Sequence, residues 1–250
     1  MRIVDGHVHA GLTKYVAVEV LLAQMDHAGI EQALLVQYGG CHDNDYLLAC
    51  RQRFPGRFAA LGGVDYQADE AGEQIRQQVP NCQLAGLRIP ATTANEAVWE
   101  AVGQVGCMAS LSGGMEYFIE PRIEEYIRRY PHVPFRIEHL GWFPDLDRDP
   151  DDYPEFERLM SYAQYPNVYF MVSGFYSSSK KFPYAQAEPF VRRVFERFGP
   201  RRMMWGSDFP PVSYHETVEM ALALPQSWDF WGAEDLEWVM GGTARELFEF

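Results

Sequence analysis

Lysine is almost missing from this chain: Lys14, Lys180 and Lys181 are the only three in 250 residues, and arginine supplies the rest of the 21 basic side chains. Against 35 acidic residues this leaves a formal charge of −14. A surface so acidic repels phosphate backbones and anionic lipid, so neither nucleic acid nor membrane is an expected partner. Cysteine is sparse as well. Cys41, Cys50, Cys82 and Cys107 show no C-x-x-C spacing, which excludes a disulfide scaffold and points to a reducing, cytoplasmic setting. No apolar run approaches the ~18 residues that a bilayer span needs. Met1 to Asp5 enter a strand pattern at once, with no room for a signal peptide. No G-x-G-x-x-G follows the first strand, and the chain contains no P-loop, G-x-S-x-G elbow or H-E-x-x-H.

What is present is a regular alternation of short β-type runs and helical segments, with 47% of positions apolar. The pattern predicts strands over Arg2–His9, Gln32–Gln37, Phe58–Val64, Leu84–Ile89, Gly106–Leu111, Phe135–Leu140, Val168–Ser173 and Arg202–Ser207. It predicts helices over Tyr15–Ala28, Asn44–Arg53, Glu70–Val79, Asn95–Gln104, Glu120–Tyr130, Glu155–Ala163, Ala187–Phe198 and Glu216–Leu224, and two short closing helices within Glu234–Phe250. Eight strand–helix units need parallel crossovers and close most naturally into a (β/α)8 barrel, a single α/β domain over residues 1–250. Near the C-terminus, Trp228, Phe230, Trp231 and Trp238 offer either a subunit contact, hence a homo-oligomer, or the seal on the last helices.

In such a barrel the chemistry sits at the C-terminal ends of the strands, and unusual polar residues gather there. The first strand ends Asp5-Gly6-His7-Val8-His9, and alternation places Asp5, His7 and His9 on one face. Two neighbouring imidazoles can hold one divalent cation or form a hydrogen-bonded core pair. Asp208, in Trp205-Gly206-Ser207-Asp208-Phe209-Pro210, is a strand-end carboxylate fit for a metal or for general base work, with a turn residue as the alternative. His139 shares a face with Phe135 and Ile137 and so points inward, as a ligand or an acid/base group; the same alternation turns Arg136 and Glu138 towards the helix layer. Arg88, near the end of the fourth strand, offers a fork for a substrate carboxylate or an ordinary ion pair. Lys180, Lys181, His42 and His215 lie in loops at the same mouth. Tyr38, Tyr117, Phe175 and Tyr176 suggest an aromatic-lined cavity, and the cysteines read as inert.

Val4-Asp5-Gly6-His7-Val8-His9, Met25-Asp26-His27-Ala28-Gly29-Ile30, Glu138-His139-Leu140-Gly141, Trp205-Gly206-Ser207-Asp208-Phe209-Pro210 and Gly242-Thr243-Ala244-Arg245-Glu246-Leu247-Phe248 together resemble the amidohydrolase-related branch of the amidohydrolase superfamily. The resemblance implies a metal-dependent TIM-barrel hydrolase, in a branch of lactonases and nonoxidative decarboxylases. It matches His7 and His9 to the first-strand histidines, His139 to the sixth-strand histidine and Asp208 to the eighth-strand carboxylate. Two departures bear on the metal. Arg88 stands where binuclear members carry a carboxylated lysine, and Cys107-Met108-Ala109-Ser110-Leu111 lacks the strand-five histidine of mononuclear decarboxylases. That absence is similar to the lactonase branch, some of whose members work without metal.

The expectation is therefore a hydrolase of a small cyclic ester, a carboxylated or sugar-type lactone, with an anionic substrate. Asp208 and His139 are its catalytic residues, Arg88, His7 and His9 its substrate contacts. One divalent metal, zinc by its donors, is expected on His7, His9 and Asp208, with His139 as a possible fourth ligand, and a metal-free site is the alternative. A metal-dependent decarboxylase of an aromatic or dienoic acid is the rival enzyme, and a non-catalytic ligand-binding barrel the rival from another class.

Overall fold

In the computed structural model, all residues except 82, 143–145, 147 and 180 are described; Cys82 and Lys180 thus lie outside the described residues. Eight parallel strands run in sequence order: β1 (Val4–Val8), β2 (Gln32–Val36), β3 (Phe58–Gly62), β4 (Gly86–Pro90), β5 (Met108–Ser112), β6 (Phe135–Ile137), β7 (Val168–Val172) and β8 (Met203–Trp205). Helices lie between them, and the whole is the single-domain (β/α)8 barrel that the alternation predicts. No described helix is long and apolar enough to cross a membrane.

Side-chain alternation along the strands divides the interior into two cores. Outward residues such as Leu35, Leu87, Phe135 and Phe170 pack beneath the helices. Inward residues at the N-terminal ends, among them Val4, Leu34, Ala59 and Met108, form a smaller core closed by Ala244 of the last helix (Thr243–Leu247) and by Phe248 just after it. Trp228 and Trp231 are buried against Phe195 and Phe230, so this aromatic group seals the chain's own last elements. The first helix, Val18–Ala28, starts three residues later than its periodicity suggests because Tyr15 adopts a left-handed backbone with φ +73°.

The strands nearest the chemistry are irregular. Between the pairs Asp5↔Ala33 and Val8↔Leu35, β1 carries one residue more than β2, a β-bulge. Asp5 therefore keeps the outward register of Ala33, while His7 and His9 face inward, and the expected single face for all three does not form. The barrel closes where β1 meets the chain after β8: Asp208 donates its N–H to His7 O at 2.9 Å, and His9 donates to Phe209 O at 2.8 Å. Gly6 and Gly206 permit this approach, since a Cβ on Gly6 would stand 2.7 Å from Trp205 O and one on Gly206 2.9 Å from His7 N.

Asp5 ties the seam from behind. Its Oδ1 accepts the backbone N–H of Ser207 at 2.8 Å and of His7 at 3.1 Å. Burial pushes its carboxyl from 3.8 up to about 7, against the pull of those hydrogen bonds. A folded-state value above the unfolded one means that the fold favours the protonated acid. The stability that this group contributes is complete below about pH 4 and is lost as pH rises towards 7. Urea midpoints measured across that window should fall with pH more steeply in the wild type than in Asp5→Asn, which keeps the acceptor oxygen but does not titrate. Equal slopes would exclude Asp5 as the source.

Candidate active site

Four side chains from three sheet segments converge at the C-terminal mouth. His7 Nε2 and His9 Nε2 lie 3.2 Å apart. Asp208 Oδ1 stands 3.3 Å from His9 Nε2 and 3.7 Å from His7 Nε2. His139 Nε2 is 3.8 Å from Asp208 Oδ2. All four residues are buried. His139 arrives by a route that strand alternation does not describe. β6 stops at Ile137, and His139 and Leu140 turn into left-handed backbone with φ +49° and +53°. The imidazole swings over the barrel mouth, where its Nδ1 meets Ser173 Oγ at 3.0 Å. Gly174 leaves the room: a Cβ there would lie 2.6 Å from His139 Nδ1.

With the strand ending early, Phe135 and Ile137 face the helices, and Arg136 and Glu138 face the barrel interior, the reverse of their expected placement. Arg136, Ser110 and Arg88 are cross-strand neighbours on β6, β5 and β4. Glu138 Oε2 accepts from Arg88 Nε at 3.0 Å and Nη2 at 2.8 Å, and its Oε1 accepts from Ser110 Oγ at 2.7 Å. Arg136 donates to Ser110 Oγ and to Gly6 O, and its Nη2 lies 3.4 Å from His7 Nδ1. Serine on strand five thus links the Arg136 guanidinium to the Glu138 carboxylate, which in turn holds Arg88. Burial alone would push Glu138 up, but Arg88, His139 and Arg136 hold it below the ordinary carboxylate value. Burial lowers Arg136 to about 10. Arg88, the sequence candidate for a substrate anion, has two donors on Glu138; its Nη1 is only 3.4 Å from Gln37 O. It also lines a cavity of about 180 Å3 with Tyr38, His42, Tyr66 and Ser112.

The electrostatics set the protonation states. Burial, then the neighbouring imidazoles and guanidiniums, drive His7 well below its ordinary value; burial likewise lowers His139. Both are neutral at pH 7. Burial raises Asp208, but His139, His9 and the Tyr176 hydroxyl outweigh it and hold the carboxyl below its usual value. Tyr176 donates to Asp208 Oδ2 at 2.5 Å, which leaves Oδ1 buried with no hydrogen-bond partner among the described residues.

That bare oxygen allows a test of the metal reading. His9 Nδ1–H donates to Val36 O at 2.7 Å, which aims Nε2 into the site. A tetrahedral cation about 2.1 Å from each donor separates its ligands by about 3.4 Å. The observed edges of 3.2, 3.3 and 3.7 Å match that spacing. His7, His139 and Asp208 also offer ligand atoms within 4.8 Å of one another. The residues fit a single divalent ion.

The rim contains residues that the sequence reading missed or misplaced. Tyr15 stacks on His9, with ring centroids 4.7 Å apart and planes at 10°; a bulky residue in left-handed backbone marks a constrained loop, and no local sequence signal announced it. Exposed His215 stacks on Tyr176 at 4.7 Å. Of the proposed cavity aromatics, Tyr38 and Tyr176 reach the mouth, whereas Phe175 turns into the core against Trp228 and Tyr117 is exposed. His42 and Lys181 are exposed.

The amidohydrolase family profile matches residues 4–250. L-fucono-1,5-lactonase of Burkholderia ambifaria is 26% identical over 202 residues, 77% of this chain and 68% of its own length. D-galactarolactone isomerase of Agrobacterium fabrum is 26% identical over 205 residues, 78% of this chain and 66% of its own. The matched region thus spans about two thirds of each relative. Among solved structures, a Pseudomonas putida protein assigned as a 2-pyrone-4,6-dicarboxylic acid hydrolase superposes with TM-score 0.83 at 20% identity, covering 98% of this chain and 97% of that one.

The buried charges below the site make a stability prediction. Glu138→Gln leaves two guanidiniums without their shared carboxylate and should cost about 3–5 kcal/mol in chemical denaturation. A loss below about 1 kcal/mol would show that Glu138 is not what neutralises them.

Proposed function

We propose that this chain, which belongs to the amidohydrolase family, hydrolyses a small lactone bearing a carboxylate. The observation that carries the reading is the bare Asp208 Oδ1, buried beside His7 and His9 on a carboxylate whose other oxygen lies near His139. The relatives' chemistry supports it, because one opens a sugar lactone and the other rearranges one.

Asp208 takes a proton from water as the water oxygen attacks the lactone carbonyl. The neutral imidazoles of His7 and His139 line the position where negative charge develops on the carbonyl oxygen and stabilise it. The ring C–O bond then breaks, and the protonated Asp208 returns its proton to the departing ring oxygen, giving an open hydroxy acid. Tyr176 holds Oδ2, so Oδ1 makes both transfers without the carboxylate rotating. Arg88, which lines the adjoining cavity and whose Nη1 makes only a long contact to Gln37 O, receives part of the anionic charge. Nitrogen and carboxylate donors at this spacing suit zinc held by His7, His9 and Asp208, with His139 adjacent; when bound it supplies a Lewis acid that polarises the carbonyl. The proposed setting is the cytoplasm, supported by free thiols at Cys41, Cys50 and Cys107.

The isomerase relative favours a second reading, in which a hydroxyl of the substrate takes the place of water. Hydrolysis releases acid and isomerisation does not, so a pH-stat assay on sugar lactones separates the two. Asp208→Asn should lower the hydrolytic rate by about 10²–10⁴-fold while substrate binding persists; an unimpaired Asn variant removes Asp208 from the mechanism. Elemental analysis of protein purified without added metal, paired with rates before and after chelation, tests the ion. One zinc per chain with a chelator-sensitive rate supports the zinc reading, and full activity after stripping overturns it. Carbon dioxide release from a dienoic or aromatic acid would instead support the decarboxylase.

A further inference from the structure

The anion called for by the proposed lactone needs a cation at the mouth, and Arg88 is largely engaged by Glu138. Lys14 stands in the loop after β1, where Nζ lies 4.6 Å from the Tyr38 ring centroid and 5.1 Å from that of Tyr15. Tyr15 is the ring stacked on His9, and Tyr38 lines the cavity that reaches Arg88. The loop holds this placement by its own backbone. Gly11 N–H donates to Val16 O at 2.9 Å, and Gly11 makes room for Lys14 O, which a Cβ would approach to 2.6 Å. Lys14 is exposed, and no ion pair with a described residue engages it. In a chain of charge −14 with three lysines, an ammonium kept free of carboxylates beside the site is available to a ligand.

We propose that Lys14 is a specificity-determining residue that selects carboxylated over neutral lactones, its ammonium meeting the substrate carboxylate from the rim while Arg88 meets it from the floor. This rests on the lactonase reading for its substrate class. The two tyrosine faces hold the ammonium over the entrance, and the bound carboxylate replaces part of its water.

A matched pair tests it. D-Glucaro-1,4-lactone and D-glucono-1,4-lactone differ by a carboxylate in place of a hydroxymethyl group. In Lys14→Gln the ratio of kcat/KM for the carboxylated over the neutral lactone should fall about three- to fivefold, the size of one exposed ion pair, chiefly through KM. Lys14→Arg should restore most of it. Calorimetric titration with D-glucarate, which needs no turnover, should show the same order of affinity. If lactones are hydrolysed but neither the ratio nor glucarate binding depends on Lys14, this inference fails and the lactonase reading stands. If glucarate binding depends on Lys14 but no lactone is opened, the lactonase reading fails and the anion site stands. Wild-type protein that binds no glucarate overturns the anion site.

Discussion

A carboxylate enclosed between two guanidiniums in the middle of a barrel is the constraint that the active-site architecture obeys. Glu138 cannot be removed without leaving Arg88 and Arg136 as facing like charges in a medium of low polarisability. β6 ends just before Glu138, and the next residue, His139, turns into left-handed backbone over the mouth. Arg136 anchors Gly6 O at the bulge of β1, so the same charge group also supports the histidine pair. Ser110 completes it from β5.

Much of the fold was legible because it rests on short-range physics. Strand runs, glycine stops and proline breaks recur at the length of one strand–helix unit, and eight of them close most naturally into a parallel barrel. His7, His9 and Asp208 were legible as strand-end polar residues. What failed was parity. A single inserted residue in β1 takes Asp5 off the face of His7 and His9, and two positive φ angles after β6 bring His139 into the site from outward parity; alternation registers neither. The signal was present in Arg136 and Glu138, since charged residues two apart in a doubly buried strand have no comfortable place under the helices. Reading them as interior would have located the serine at position 110 as their partner.

The rim was the least legible part. Tyr15 and Tyr176 act through a stacking face and a hydroxyl, and their residue types are common throughout an aromatic-rich chain. Only tertiary placement distinguishes them from Phe175, next to Tyr176 in the same helical turn, which belongs to the core. Such contacts depend on tertiary placement that local pattern does not encode.

The closing seam has an evolutionary corollary. The last backbone links that complete the cylinder run through His7, His9 and Asp208 themselves, so the machinery and the clasp are one set of atoms. Selection for new reactivity at these three positions therefore acts on mechanical integrity as well, and diversification is channelled to the surrounding loops, where an altered side chain changes ligand preference without loosening the ring.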